Sequence, residues 1–215
     1  MEKQYSTNST YKSNGIPKPT AADPIRSEED LRKLQQYFLE KQQYRNYLLL
    51  TLGVSFALRA SDLLSLQIDD VFNHDGTVKK YFTIYEDKTD KRNNIEINET
   101  CRLALAAYFE TLPEPVYRTD PLFRSRETDM YGQLRPITIQ QLTNILKKAA
   151  KECGITYHIS SHSLRKTFVY LLIKKHGNDT ELMYSLYKDN SSDSQLIEMH
   201  ESLAEMLAEF VEFDM

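Results

Sequence analysis

Residues 160–168 read Ser-Ser-His-Ser-Leu-Arg-Lys-Thr-Phe, and Val-Tyr-Leu-Leu-Ile-Lys-Lys-His carries the run on to residue 176. The pattern predicts a helix over about 161–176. His162 and Arg165 stand three apart and therefore share a face. Leu164, Phe168, Leu171 and Leu172 form the buried side that fixes that face relative to the core. A lone histidine at such a place is more often a cap or a packing residue, so the motif needs company before it carries chemistry.

Working outward, two other stretches supply cations on separate elements. Arg59 lies in Phe-Ala-Leu-Arg-Ala-Ser-Asp-Leu-Leu-Ser-Leu (56–66), at a sharp helix start, with Asp62 one turn further on. Ser61 is the expected cap of this third helix, which should end near Gln67. An interior Arg59–Asp62 ion pair is its plain reading. Lys88 lies in Glu-Asp-Lys-Thr-Asp-Lys-Arg-Asn-Asn-Ile-Glu-Ile (86–97). Tyr81–Tyr85 is aromatic and β-branched and Asn94–Ile97 alternates, so the two runs predict a hairpin with a basic tip, Lys88, Lys91 and Arg92. Cations there also discourage edge-to-edge pairing.

The remainder reads as mainly helical. Residues 1–24 are rich in Ser, Thr, Asn and Lys and predict a flexible arm, with order from Pro24 and one domain over 25–215. Ser27 followed by Glu28, Glu29 and Asp30 marks a capped helix start, and Leu31, Leu34, Tyr37 and Phe38 give its apolar face. A more buried helix follows from about Tyr44. Asn73-His74-Asp75-Gly76 is turn chemistry. Helices resume at about 99–111, 138–152, 161–176 and 179–187. An amphipathic helix over about 201–213 carries Leu203, Met206, Leu207, Phe210 and Val211. One small antiparallel sheet near the middle completes the expected fold class.

At 215 residues and 40% hydrophobic content, the chain is long enough for a real core. No apolar run reaches the roughly 18 residues of a membrane span, and no signal-peptide core is present, which predicts a cytoplasmic protein of a bacterial host. Cys101 and Cys153 form no CxxC pair and read as buried thiols; no metal or cofactor is expected. The net charge of −4 is uneven. Residues 178–215 hold ten acids against Lys188 alone, a net of −9, and the other 177 residues carry a net of +5. A mildly basic body with an acidic tail is compatible with nucleic acid and does not demand it.

Taken together, the Leu-Arg-Ala-Ser-Asp-Leu-Leu-Ser-Leu stretch, the Lys-Thr-Asp-Lys-Arg hairpin and the His-Ser-Leu-Arg-Lys-Thr-Phe helix resemble the catalytic domain of the tyrosine recombinases, or phage integrases. The likeness runs from about Pro24 to at least Thr180 and is greatest to compact integrase-like proteins of Gram-positive bacteria and their phages. It implies the DNA breaking-rejoining fold, a phage or mobile-element origin and duplex DNA as partner. It also implies roles: Arg59 and Arg165 as the paired arginines on a phosphate, Lys88 as the hairpin lysine, His162 as the first histidine, and Asp62 as the group that orients a guanidinium. Such a set stabilises charge building on a phosphate's oxygens and protonates the leaving oxygen. Lys91 and Arg92 would add backbone contacts.

The sequence departs from the family at the nucleophile. Members carry a second His or Trp and then a Tyr about nine residues later. Anchoring on Ser191-Ser192 puts Asn190 and Met199 at these places, and a one-residue shift gives Asp189 and Glu198. No Tyr follows Tyr187, and methionine offers no oxygen for a covalent intermediate. Most members also have an amino-terminal clamping domain, which the 24-residue arm would not replace; at most it lays Lys3, Lys12 and Lys18 along a phosphate backbone. Three functions follow: a cleavage-deficient DNA-binding regulator or recombination accessory; an active recombinase using Tyr184, Tyr187 or a partner's tyrosine; and an interaction module that never touches DNA. In this family a terminal helix often docks on a neighbouring protomer, which suggests a homo-oligomer through 201–213.

Overall fold

The computed structural model describes residues 22–85 and 92–176. Residues 1–21 of the arm expected over 1–24, the hairpin tip with Lys88 and Lys91, the helix expected at 179–187, the Met199 segment and the expected terminal helix lie outside the described residues.

Helix α1, Glu28–Glu40, starts where the sequence places it. The Ser27 hydroxyl accepts a hydrogen bond from the Asp30 backbone N–H at 3.0 Å. Glu28, Glu29 and Asp30 then meet the positive end of the helix dipole. Leu31, Leu34 and Phe38 are its buried stripe. After Lys41 the chain reverses through Gln42, whose φ of 51° is left-handed.

Helix α2, Tyr44–Ser55, is the central element. Every residue from Leu48 to Ser55 is buried, as expected of a helix apolar on all sides. It packs against α1, against α3 (Ala60–Ser65), against α5 (Glu99–Phe109) and against α7 (Ser161–His176). Helix α6, Ile139–Glu152, packs on α1, α3 and α7 from another side, and the short α4, Ile68–Val71, touches the first strand.

The hairpin forms as the alternation requires. Strands β1, Tyr81–Tyr85, and β2, Arg92–Glu96, pair antiparallel, with Phe82 opposite Ile95 and Tyr85 opposite Arg92. Phe82, Ile84 and Ile95 are buried while Tyr81 and Tyr85 are exposed, one face in and one out.

Three expectations need correction. The first concerns the number of sheets. A second two-stranded sheet pairs β3, Arg124–Thr128, with β4, Leu134–Pro136. Arg-Ser-Arg-Glu-Thr has a single β-branched residue and is mostly exposed, so strand chemistry does not betray it. Its turn holds it together instead. Asp129 Oδ1 accepts from the N–H groups of Tyr131 and Gln133, each at 2.8 Å, and Gly132 takes a φ of 78°. The second concerns α3, whose cap position is Arg59 rather than Ser61. Ser61 sits one residue inside the helix and turns its hydroxyl to Asp62 Oδ1 at 3.2 Å. The third is smaller: Cys101 is fully buried, but Cys153 is only partly so; both are free thiols. Burial pushes the Cys101 thiol up to about 12, which leaves it unreactive.

Helices α2 and α7 approach closely at Gly53. A Cβ built on Gly53 would lie 2.5 Å from Leu164 Cδ1 and 3.2 Å from Leu164 Cβ and Cγ. Leu164 is 2% exposed, so its side chain has little room to turn aside. Gly53→Ala should therefore lower stability even though alanine is the better helix former. Overpacking costs about 1–3 kcal/mol against a propensity gain of about 1 kcal/mol. In a Leu164→Ala background the clash is gone, and the same substitution should become neutral or stabilising. Denaturant unfolding of the four proteins of this cycle gives the coupling; additive effects would show that the crossing has slack.

Candidate nucleic-acid interface

The first turn of α7 is fixed by serines. The Ser160 hydroxyl accepts from the His162 N–H at 3.3 Å, and the Ser163 hydroxyl accepts from the Ser160 N–H at 3.0 Å. This reciprocal arrangement works like a capping box with serine in place of glutamate. The Ser161 N–H reaches across to Thr143 Oγ1 on α6 at 3.3 Å. His162 is thereby left exposed at the positive end of a 16-residue helix, and Arg165 follows one turn later, half-buried. An N-terminal turn with a histidine and an arginine on it favours an anion by dipole and by charge.

Arg59 reaches its place by a strained route. Between α2 and α3 the chain passes through Ala57 with a φ of 52°, a conformation that costs a non-glycine residue about 1–2 kcal/mol. The Arg59 side chain is 26% exposed, and Nη1 lies 3.9 Å from Asp62 Oδ2. That carboxylate is 2% exposed, and Oδ2 accepts no hydrogen bond among the described residues. The ion pair anticipated as the plain reading of Arg59 thus exists, at a distance set by charge rather than by hydrogen bonding.

The hairpin is rooted beside the same turn. Phe82 of β1 packs its ring 5.1 Å from that of Phe56, three residues before Arg59. Three elements therefore gather around the end of α2: α3 with Arg59, the β1–β2 hairpin, and α7, whose Leu164 abuts Gly53. Lys88 and Lys91 lie outside the described residues, as does the side chain of Arg92, of which only the strand backbone is described.

A separate cleft of about 700 Å³ opens at the start of α2, lined by Tyr37, Tyr44, Arg45, Arg126, Asn144 and Lys148 among others, and by none of Arg59, His162 or Arg165. Arg45 there is structural. Its Nη1 donates to the Arg124 carbonyl at 2.5 Å and its Nε and Nη2 to Asn46 Oδ1. Burial lowers the Arg45 pKa. An extended phosphodiester needs an open basic surface more than a cavity.

Sequence reasoning did not find Thr143 and Thr167, which brace the start of α7, or Tyr157 and Lys166, which hold the segment before α1. Their hydroxyls and ammonium act on backbone groups far away in the chain, and no local motif signals such a bond. Among the described residues no helix is long and apolar enough to cross a membrane.

Comparison with known proteins agrees with this architecture. Residues 26–192 match the model of the phage integrase family. A probable integrase/recombinase of Bacillus subtilis, YoeC, is 36% identical over 169 residues, covering 79% of this chain and 84% of that one. The tyrosine recombinase XerD of Listeria monocytogenes is 36% identical over 121 residues, so the match spans 54% of this chain and only 37% of the relative. The XerH site-specific recombinase, solved bound to its difH substrate in a pre-cleavage complex, superimposes with a TM-score of 0.54 at 19% identity, covering 89% of this chain and 56% of that one. With a family match over most of its length, a relative of similar extent and a shared catalytic-domain fold, the chain belongs to the phage integrase family of tyrosine recombinases.

Proposed function

We propose that this chain binds duplex DNA through Arg59, Lys88, His162 and Arg165 and does not cut it. The observation that carries the binding half is the first turn of α7. His162 is exposed there and Arg165 half-exposed, at a helix N-terminus braced by Ser160, Ser163 and Thr143. Family membership supports it, as does the substrate-bound state of the XerH neighbour. Arg59 and Arg165 fork onto the non-bridging oxygens of one phosphate, and Asp62 holds the first guanidinium in register. His162 donates to the same phosphate, and Lys88 contacts it from the hairpin. Lys91 and Arg92 extend the contact along the backbone. Such contacts position a duplex without reading its sequence. The role that fits is a regulator or recombination accessory of a phage or other mobile element.

The cleavage half rests on Met199, or Glu198 on the shifted alignment, at the nucleophile position. A pocket that stabilises a pentavalent phosphorus is idle without an attacking oxygen. The rival reading, an active recombinase, requires Tyr184, Tyr187 or a partner's tyrosine. The amphipathic pattern over 201–213 supports a homo-oligomer through that segment, since burying each large apolar side chain stabilises by about 1.5–3 kcal/mol.

Arg165→Ala should weaken duplex binding and flatten the slope of log affinity against log salt by about 0.9, one phosphate contact. Fluorescence anisotropy from low to moderate salt measures both; equal slopes in mutant and wild type would remove the phosphate role. A nicked suicide substrate incubated with wild-type protein should yield no covalent adduct in a denaturing gel. An adduct that disappears in the Tyr184→Phe/Tyr187→Phe double variant would instead establish an active enzyme. Truncation after Glu198 should shift the sedimentation coefficient or lower the melting temperature, and no change in either would remove the docking of the terminal segment.

A further inference from the structure

From Ala22 to α1 the chain runs as an irregular strap whose bonds reach a segment over 130 residues later. The Asp23 N–H donates to the His158 carbonyl at 2.8 Å. The Arg26 N–H donates to the Tyr157 hydroxyl at 2.9 Å, and that hydroxyl donates to Asp30 Oδ2 at 2.8 Å. The Arg26 guanidinium lies 4.7 Å over the Tyr157 ring and pairs with Asp23 at 3.0 Å. Burial, with the Asp30 carboxylate beside it, pushes the Tyr157 hydroxyl up to about 12, so it stays protonated and keeps both bonds. Lys166, next to Arg165, turns its ammonium to the Ala22 carbonyl at 2.7 Å.

The innermost tie is a single hydroxyl. Thr167 Oγ1 accepts from the Ile25 N–H at 2.8 Å and donates to the Ser163 carbonyl at 2.7 Å. Ile25, Ser163 and Thr167 are all 0% exposed, so water has no ready access to replace either bond. One O–H with one donated and one accepted bond is confined to a single orientation. The carbonyl it reaches lies immediately after His162 and two residues before Arg165. The Ser163 hydroxyl meanwhile holds the Ser160 N–H, so the turn bearing both candidate phosphate ligands is bonded to the cap on one side and to the strap on the other.

We propose that Thr167 is a positioning residue whose hydroxyl seats the strap and the first turn of α7 together, so that His162 and Arg165 keep their phosphate-binding geometry only while residues 22–26 are in place. This inference rests on the DNA-binding reading for its functional consequence and on the buried bonds for its mechanical one. Whatever displaces the strap would then weaken the grip on phosphate.

The test uses the full chain with Thr167→Val, which keeps the shape and removes both bonds, and Thr167→Ser, which keeps the hydroxyl. Amide hydrogen exchange and duplex affinity are measured on both. Thr167→Val leaves the Ile25 N–H unmatched and should speed its exchange about tenfold; the Ser163 N–H, bonded to the Ser160 carbonyl, should also exchange faster as the turn loosens, with α5 amides at the wild-type rate. It should also weaken duplex binding about tenfold, and Thr167→Ser should restore both values. Exchange that rises equally in α5 and α7, or stays unchanged at Ser163, overturns the seating. So does duplex affinity that ignores Thr167→Val while the wild type binds. A local exchange change in a chain whose wild type never binds duplex supports the strap–α7 coupling and removes the DNA reading instead.

Discussion

The close crossing of α2 and α7 at Gly53 and Leu164 is the constraint on which the rest of the molecule depends. A glycine inside a buried helix forgoes about 1 kcal/mol of helix propensity. Here it lets the α7 backbone come near enough for Leu164 to lie across α2. That approach sets how far Arg165, the next residue, stands from Arg59, which leaves the end of the same α2 six residues after Gly53. The hairpin takes its bearing from that end too, through Phe56 and Phe82. Three cation-bearing elements distant in sequence thus share one helix as a common reference, and small errors in its packing reach all of them.

Asp62 shows how such a site combines stability and chemistry. A carboxylate 2% exposed, with one oxygen taking no hydrogen bond among the described residues, is costly to bury. Its compensation is the Arg59 guanidinium at 3.9 Å and the Ser61 hydroxyl. The plain reading of Arg59 as the partner of Asp62 and the sharper reading as a phosphate ligand are therefore not exclusive.

Much of the fold is legible in the sequence because its signals are local. Ser27 with three acids, the mostly apolar run from Tyr47, and the alternation in Tyr81–Tyr85 each state their element through neighbours a few residues away. His162 and Arg165 fall on one helix for the same reason. The β3–β4 sheet is not legible because its strands are short and polar, and an aspartate-centred turn organises them. The α3 cap is misread because Ser61 looks like a cap, whereas the left-handed Ala57 shifts the helix start to Arg59. Thr143 and Thr167 escape for a different reason: a threonine on a buried face carries no sign that its hydroxyl will meet a backbone group 18 or 142 residues away.

The Ile25–Thr167 bond also has a consequence for how the protein is made. Its donor leaves the ribosome first and must wait 142 residues for its acceptor. At 5–20 residues per second that interval is about 7–28 s. For most of it the strap lacks its partners Tyr157, His158 and Thr167 alike, although α2 and Arg59 are made early in the interval. The tie between the strap and α7 cannot form until nearly the whole described domain has emerged, so a nascent chain stalled before Thr167 would carry α1 and α2 without it.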